Sequence, residues 1–281
     1  MSAHAAGMTK RFEGRRVLIT GASRGIGAAM ARRLAADGAD VAIVARTLSK
    51  HEHLPGSLEE TAADLRASGA TVGVIVADLS DVDDRSRIVP EAEAALGGPV
   101  EVLVNNAAAA IYQPLVDFPL RRRMVTFEMN VHAPLDLAQA VIPGMVEAGE
   151  GWILNLSSAS AHLAPGPPFK DSAVGTTIAV YGASKAALNR ITNGLAVELY
   201  GTGVRVNTVE PRAAVRSEGA DVLVGDKVDA GLWESMDEMV EAAVALLDCP
   251  EDVTGRIAVS LDLIEEWGLE SRPSEDEGAS A

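Results

Sequence analysis

A single cysteine, Cys249, leaves this chain no means of forming an intrachain disulfide. It stands beside Pro250 at the end of an expected helix, with no histidine or basic residue close in sequence, which suits a packed thiol better than a reactive one. Basic residues are scarce as well. The 24 Lys and Arg face 40 Asp and Glu, a formal net charge of −16, which argues against nucleic acid or an anionic membrane as partner. The acid excess is spread over helical stretches, with a knot at Glu275-Asp276-Glu277. No apolar run approaches the roughly 20 residues needed to cross a bilayer. The first ten residues hold no apolar segment of the kind a secretory signal carries, so the expected compartment is the cytoplasm. His51 and His53 form a His-x-His, yet no further ligand cluster accompanies them, and no metal is expected.

What the chain does have is alternation. With 48% hydrophobic and 23% charged residues it has the composition of a soluble globular protein, and 281 residues is an ordinary length for one α/β domain. Strands are expected at Val17–Thr20, Val41–Ala45, Val72–Val76, Val100–Val104, Trp152–Leu156, Val204–Val209 and Ile257–Ser260. Most are continuous apolar runs, the pattern of strands covered on both faces. Helical stretches fall between them, such as Gly25–Asp37, Leu58–Ser68, Leu120–Glu147, Ser184–Tyr200 and Asp237–Leu247. Strand and helix in repetition imply right-handed crossovers and a doubly wound, Rossmann-like parallel sheet of about seven strands with helices on both faces. No internal repeat or linker divides it. The expected organisation is a flexible tail over 1–10, one domain over 11–270 and an acidic flexible tail over 271–281.

Where the first strand runs into the first helix, the sequence is Thr20-Gly21-Ala22-Ser23-Arg24-Gly25-Ile26-Gly27. Glycine there lets the backbone turn tightly and approach a pyrophosphate, and the helix N-terminus offers free N–H groups to the anion. An NAD site usually carries an acid at the end of the second strand to accept from the ribose 2′-hydroxyl. This strand ends Ala45-Arg46-Thr47 instead, and Arg24 points a second guanidinium toward the same region. Two guanidinium groups suit a 2′-phosphate, so the expected cofactor is NADP(H) rather than NAD(H).

Further on, Tyr181-Gly182-Ala183-Ser184-Lys185 sets a phenol and an ammonium four residues apart at a helix start, on one face. A neighbouring ammonium stabilises a phenolate, so the sequence predicts a Tyr181 that ionises more easily than an ordinary tyrosine. Ser158 follows the fifth strand at the carboxyl edge of the sheet, where its hydroxyl can donate to a substrate oxygen.

The Gly-x-x-x-Gly-x-Gly spacing, with Asn105-Asn106-Ala107-Ala108 and the Tyr-x-x-x-Lys, resembles the short-chain dehydrogenase/reductase family in its compact form, from about Arg16 to Val209. The resemblance implies a catalytic set of Ser158, Tyr181, Lys185 and Asn130. Lys185 would also hold the nicotinamide ribose, and the Asn130 backbone would help hold a water leading protons to Lys185. It further implies cofactor contacts from Gly21, Ser23, Arg24, Gly25, Ile26, Gly27, Arg46, Thr47, Asn105, Ala107 and Pro211, and Asp78-Leu79 beside the adenine. Ser157 would pack or cap. A small-molecule carbonyl or alcohol as substrate, and a homodimer or homotetramer, are implied in the same way.

Three stretches depart from the family. Ser158 and Tyr181 lie 23 positions apart where the family has about thirteen, and the extra residues form a Pro- and Gly-bearing loop within 162–179. His162 in that loop is expected to be a loop histidine rather than an acid/base. A second insertion covers 48–56. Beyond the sixth strand, Pro211-Arg212 stands where the family has Pro-Gly, and Ser217 lies one step late for the usual threonine. Arg212 and Arg216 are open between binding an anion and facing solvent. Leu223, Val224, Leu232 and Trp233 suggest an apolar pocket. The reading is an NADPH-dependent oxidoreductase acting on a ketone or secondary alcohol. Its rivals are a non-catalytic dinucleotide sensor or scaffold, and an epimerase or dehydratase of nucleotide sugars.

Overall fold

The computed structural model describes residues 10–49, 55–171, 173–216 and 233–271. The two expected tails (save Lys10 and Ser271), the His51/His53 pair, Ser217 and the apolar residues Leu223, Val224 and Leu232 lie outside them.

Strand β1 (Arg16–Thr20) turns through the glycine loop into α1 (Gly25–Ala36), and β2 (Asp40–Ala45) follows. Then come α2 (Leu58–Ala67), β3 (Val72–Val76), α3 (Val82–Leu96) and β4 (Val102–Asn105). The second half holds α4 (Leu120–Phe127), α5 (Ala133–Ala148), β5 (Gly151–Leu156), α6 (Ala179–Glu198) and β6 (Val204–Glu210). Two short strands, β7 (Ala214–Val215) and β8 (Trp233–Glu234), pair with each other, and α7 (Met236–Leu246), β9 (Ile257–Val259) and α8 (Ser260–Trp267) complete the described chain.

All seven expected strands enter one parallel sheet, in the order β3-β2-β1-β4-β5-β6-β9. Chain order reverses between β1 and β4, so the carboxyl ends of these two strands flank a crevice, the place where open α/β sheets bind ligands. Each face of the sheet is covered. Met30 and Leu34 of α1, Leu65 of α2 and Met239 of α7 pack on one side. Ile88 of α3, Leu137 and Met145 of α5 and Ala196 of α6 pack on the other. Burial on both faces makes the strands read as unbroken apolar runs, and each large side chain buried contributes about 1.5–3 kcal/mol.

The expected single helix over Leu120–Glu147 is instead α4, a π-turn at Glu128–His132, and α5. The turn carries Asn130 inward, fully buried, where its side-chain bonds supply the reason for the irregularity. Helix α3 fills the expected crossover between β3 and β4, and α8 follows the last strand. Pro90 inside α3 reads as a helix breaker, yet Asp81 caps the helix by accepting from the N–H groups of Asp83 and Asp84.

Trp152 at the start of β5 is buried between two guanidinium groups, Arg15 at 4.3 Å and Arg205 at 4.7 Å from its ring, and donates its indole N–H to the Cys249 carbonyl. Cys249 is buried too, and burial pushes its thiol up to about 11. Trp152→Ala is expected to cost about 3–5 kcal/mol of stability, measurable by urea unfolding. A loss under 1 kcal/mol would mean that the two arginines close over the gap.

Candidate active site

The carboxyl ends of β1 to β6 bring together most of the residues singled out in the sequence. At β1, the Thr20 hydroxyl accepts from the N–H groups of Asn106 and Ala107, both at 3.1 Å. The Asn106 amide in turn donates to the carbonyls of Thr20 at 2.9 Å and Gly21 at 3.1 Å. This pins the glycine loop to the segment after β4. Gly21 has φ +69°, and a Cβ there would lie 2.9 Å from the Asn106 amide nitrogen. A Cβ on Gly27 would collide with the same amide and with the Gly21 carbonyl. Arg24 occupies the N-cap of α1 without a side-chain cap bond, and the first turn of α1 carries no acid. The free N–H groups of that turn can therefore receive an anion. These residues fit a dinucleotide pyrophosphate.

Arg46 and Thr47 are exposed just past β2, which is held against the loop by N–H bonds from Gly21 and Ala22 to the Val44 carbonyl. Neither Arg24 nor Arg46 has an ion-pair partner among the described residues. Past β3, the Asp78 carboxylate accepts from the N–H and hydroxyl of Ser80, and Leu79 is buried. Asn105 is buried within the sheet, donating to Asn155 and to the Pro134 carbonyl. Its side chain braces strands and helix. Ser23, Gly25, Ile26 and Pro211 lie half-buried along the same edge.

Helix α6 begins at Ala179, five residues before the expected start at Ser184, so Tyr181 sits inside the first turn. It can press close to the turn Ala159–Ala161 because residue 182 is glycine, and a Cβ there would run into the Ser160 carbonyl. The Ser158 hydroxyl lies beside the Tyr181 phenol and accepts from Ser160. Ser157 is buried, its N–H on the Val209 carbonyl. Lys185, 2% exposed, donates through Nζ to the Leu156 carbonyl at 2.6 Å, and Nζ lies 5.8 Å from the Tyr181 ring centre.

The Asn130 side chain accepts from the Ala109 N–H at 2.8 Å and donates to the Ala109 carbonyl and to Ser184. Ser184 donates to the Tyr181 carbonyl. Asn130 thus ties the loop after β4 to the helix that carries Tyr181 and Lys185.

The expected easing of Tyr181 ionisation is not found in the protein by itself. Burial raises the phenol above its ordinary value, the nearby Tyr112 adds to this, and only the neighbouring Ser158 hydroxyl opposes it. Burial also pushes the Lys185 ammonium down to about 8. Desolvation outweighs the attraction that spacing alone suggested.

Arg212 pairs with Asp262 and Glu265 of α8, and Arg216 lies over the Trp233 ring, so both of these residues have protein partners. His162 is exposed and hydrogen-bonds the buried Glu210. Two residues that the sequence reading passed over stand at the site. Tyr112 meets the Tyr181 ring edge to face at 5.7 Å, and Glu210 is an acid at the end of a largely buried strand. The second of these had a visible signal, a charge where a buried strand ends.

A family model described as short chain dehydrogenase matches residues 15–227. Among curated proteins, hydroxysteroid dehydrogenase-like protein 2 of Mus musculus is 32% identical over 94% of this chain and 51% of its own length. The corresponding Xenopus tropicalis protein is 32% identical over 93% of the chain and 60% of its own length. The chain thus spans about half to three-fifths of these relatives. A solved short chain dehydrogenase from Mycobacterium thermoresistibile superposes with a TM-score of 0.78 at 29% identity, covering 92% of this chain and 89% of that one. A gluconate 5-dehydrogenase from Burkholderia cenocepacia, solved in complex with NADP and tartrate, gives 0.73 at 28% identity over 89% and 96%.

Proposed function

The chain belongs to the short-chain dehydrogenase/reductase family of oxidoreductases, and on that footing we propose that it transfers hydride between NADP(H) and a ketone or secondary alcohol, with Tyr181 as acid/base. The observation that carries the proposal is the grouping of Ser158, Tyr181 and Lys185 at the carboxyl edge of the sheet, with the buried Lys185 Nζ on the Leu156 carbonyl and 5.8 Å from the Tyr181 ring centre.

When bound, the nicotinamide supplies or takes up the hydride. The protein's own groups handle the oxygen. In reduction, the Ser158 and Tyr181 hydroxyls donate to the carbonyl oxygen, and Tyr181 gives up its phenolic proton as negative charge develops there. A phenol that burial keeps protonated is in the form this step needs. Lys185, with an ammonium near 8, is a stronger acid than that phenol, so a proton passes downhill from Nζ to a phenolate left on Tyr181. Asn130 serves through its main chain, since its side chain is spent on three hydrogen bonds. Pro134, four residues on, has no N–H to offer the Asn130 carbonyl, which supports that carbonyl as a holder of water on the way to Lys185.

The preference for NADP(H) rests on Arg24 and Arg46, neither of them paired among the described residues, and on the lack of an acid ending β2. Arg46→Asp is expected to weaken NADPH binding by about ten- to a hundredfold while leaving NADH binding unchanged or better, since each charge-assisted bond contributes about 1.5–3 kcal/mol. Fluorescence titration with both nucleotides measures it. Equal affinity of the unmodified protein for the two would remove the phosphate assignment.

The proposed substrate carries an apolar body. Leu163, Phe169 and Val174, three large apolar side chains of the loop between Ser158 and Tyr181, are exposed.

A further inference from the structure

Glu210 is the last residue of β6 and is 1% exposed, yet nothing in the proposed chemistry uses it. One carboxylate oxygen meets Nε2 of His162, and the other is buried without a partner among the described residues. One shared proton joins the imidazole nitrogen to the carboxyl oxygen. A buried carboxyl group with a single partner depends heavily on that partner, because losing it leaves the whole group unpaired.

His162 opens the inserted loop, four residues after Ser158. At the loop's other end the Thr177 carbonyl accepts from the Gln113 N–H at 3.1 Å, and Tyr112, next to Gln113, leans on Tyr181. The loop is therefore fastened at both ends beside the catalytic hydroxyls, with Leu163, Phe169 and Val174 exposed between the fastenings. We propose that Glu210 and His162 are a positioning pair that holds this apolar rim over Ser158 and Tyr181 and so selects carbonyl substrates with a large apolar body. The substrate part rests on the hydride-transfer reading above.

Three variants test it: His162→Ala, Glu210→Ala and Glu210→Gln, the last keeping an acceptor for Nε2. The probes are 1-decalone and cyclohexanone, each reduced with NADPH. His162→Ala and Glu210→Ala are expected to raise KM for decalone about tenfold, with kcat and the KM for cyclohexanone within about twofold, while Glu210→Gln behaves as the parent. Equal changes for both ketones, or none, would overturn the proposal.

A second readout needs no turnover. Endoproteinase Lys-C cleavage after the exposed Lys170, followed by mass spectrometry, is expected to run about tenfold faster in His162→Ala and Glu210→Ala. Parental cleavage rates in folded His162→Ala would overturn the clamp. If the parent protein reduces neither ketone, the hydride-transfer reading falls with these probes, and cleavage at Lys170 still decides whether the pair holds the loop. Should Glu210→Ala fail to fold, the exposed His162→Ala carries the test.

Discussion

Tyr181→Phe is expected to lower ketone reduction by about 10²–10⁴-fold and to leave NADPH affinity within about twofold. The substitution removes one atom from a half-buried ring. The edge contact with Tyr112 and the packing of α6 remain, and Ser158 keeps its bonds to Ser160. A large loss in kcat with unchanged nucleotide binding would therefore report the phenolic proton rather than damage to the fold. Thermal unfolding of the variant should match the parent closely. Full turnover in the Phe variant would transfer the acid/base role to another group and end the assignment.

Lys185→Met should separate activity from stability, lowering the first while raising the second. Lys185 is buried, and its ammonium falls from an ordinary 10.5 to about 8 through burial alone. Holding that charge inside the folded protein costs on the order of 3 kcal/mol, at about 1.4 kcal/mol for each tenfold change in acidity. Methionine has similar length and no charge, but it strands the Leu156 carbonyl, which now accepts from Nζ. That loss offsets about 1–3 kcal/mol of the gain. At pH 7 a net rise in Tm of about 2–4 °C is expected, alongside a fall of about 10² or more in turnover.

The sign with pH follows from the same burial. Between about pH 8 and 10.5 the unfolded chain keeps the Lys185 proton that the folded chain has released, so the parent protein gains stability as pH rises through that window. The methionine variant lacks this gain, so its advantage should vanish within the window and give way at the upper end to a deficit of about 1–3 kcal/mol from the unmade Leu156 hydrogen bond. A variant that melts below the parent at pH 7 would show that the Leu156 hydrogen bond outweighs the buried charge.

The sheet was legible because a parallel strand covered on both faces is a short run of Val, Ile and Leu, and all seven runs became strands within one or two residues of the expected bounds. Helix limits were less legible, since they are decided by capping and packing. Asp81 starts α3 despite Pro90, and Asn130 interrupts what reads as one long helix. Within the site, the glycine loop and the Tyr181/Lys185 pair could be read because their residues are neighbours in sequence. The braces could not. Asn106 on Gly21, Tyr112 on Tyr181 and His162 on Glu210 join positions 48 to 85 residues apart, and no local spacing announces them. The ease of ionisation of Tyr181 was misread for the same reason. Spacing reveals a neighbouring charge, while desolvation is a property of the whole packed interior.

The π-turn at Glu128–His132 makes the segment from Leu120 to Ala148 two helices joined out of phase. A π-turn holds one residue more than an α-turn, which amounts to a slip of about 100° between the two halves. Loss of one residue here could leave a continuous helix and an intact hydrophobic stripe on one half. It would also rotate Asn130 away from Ala109 and Ser184. The chain thus contains a spot where a length change of one residue can be nearly silent to the fold and ruinous to the site. Relatives that differ there by a single deletion would keep the architecture and lose the brace on which Tyr181 and Lys185 are hung.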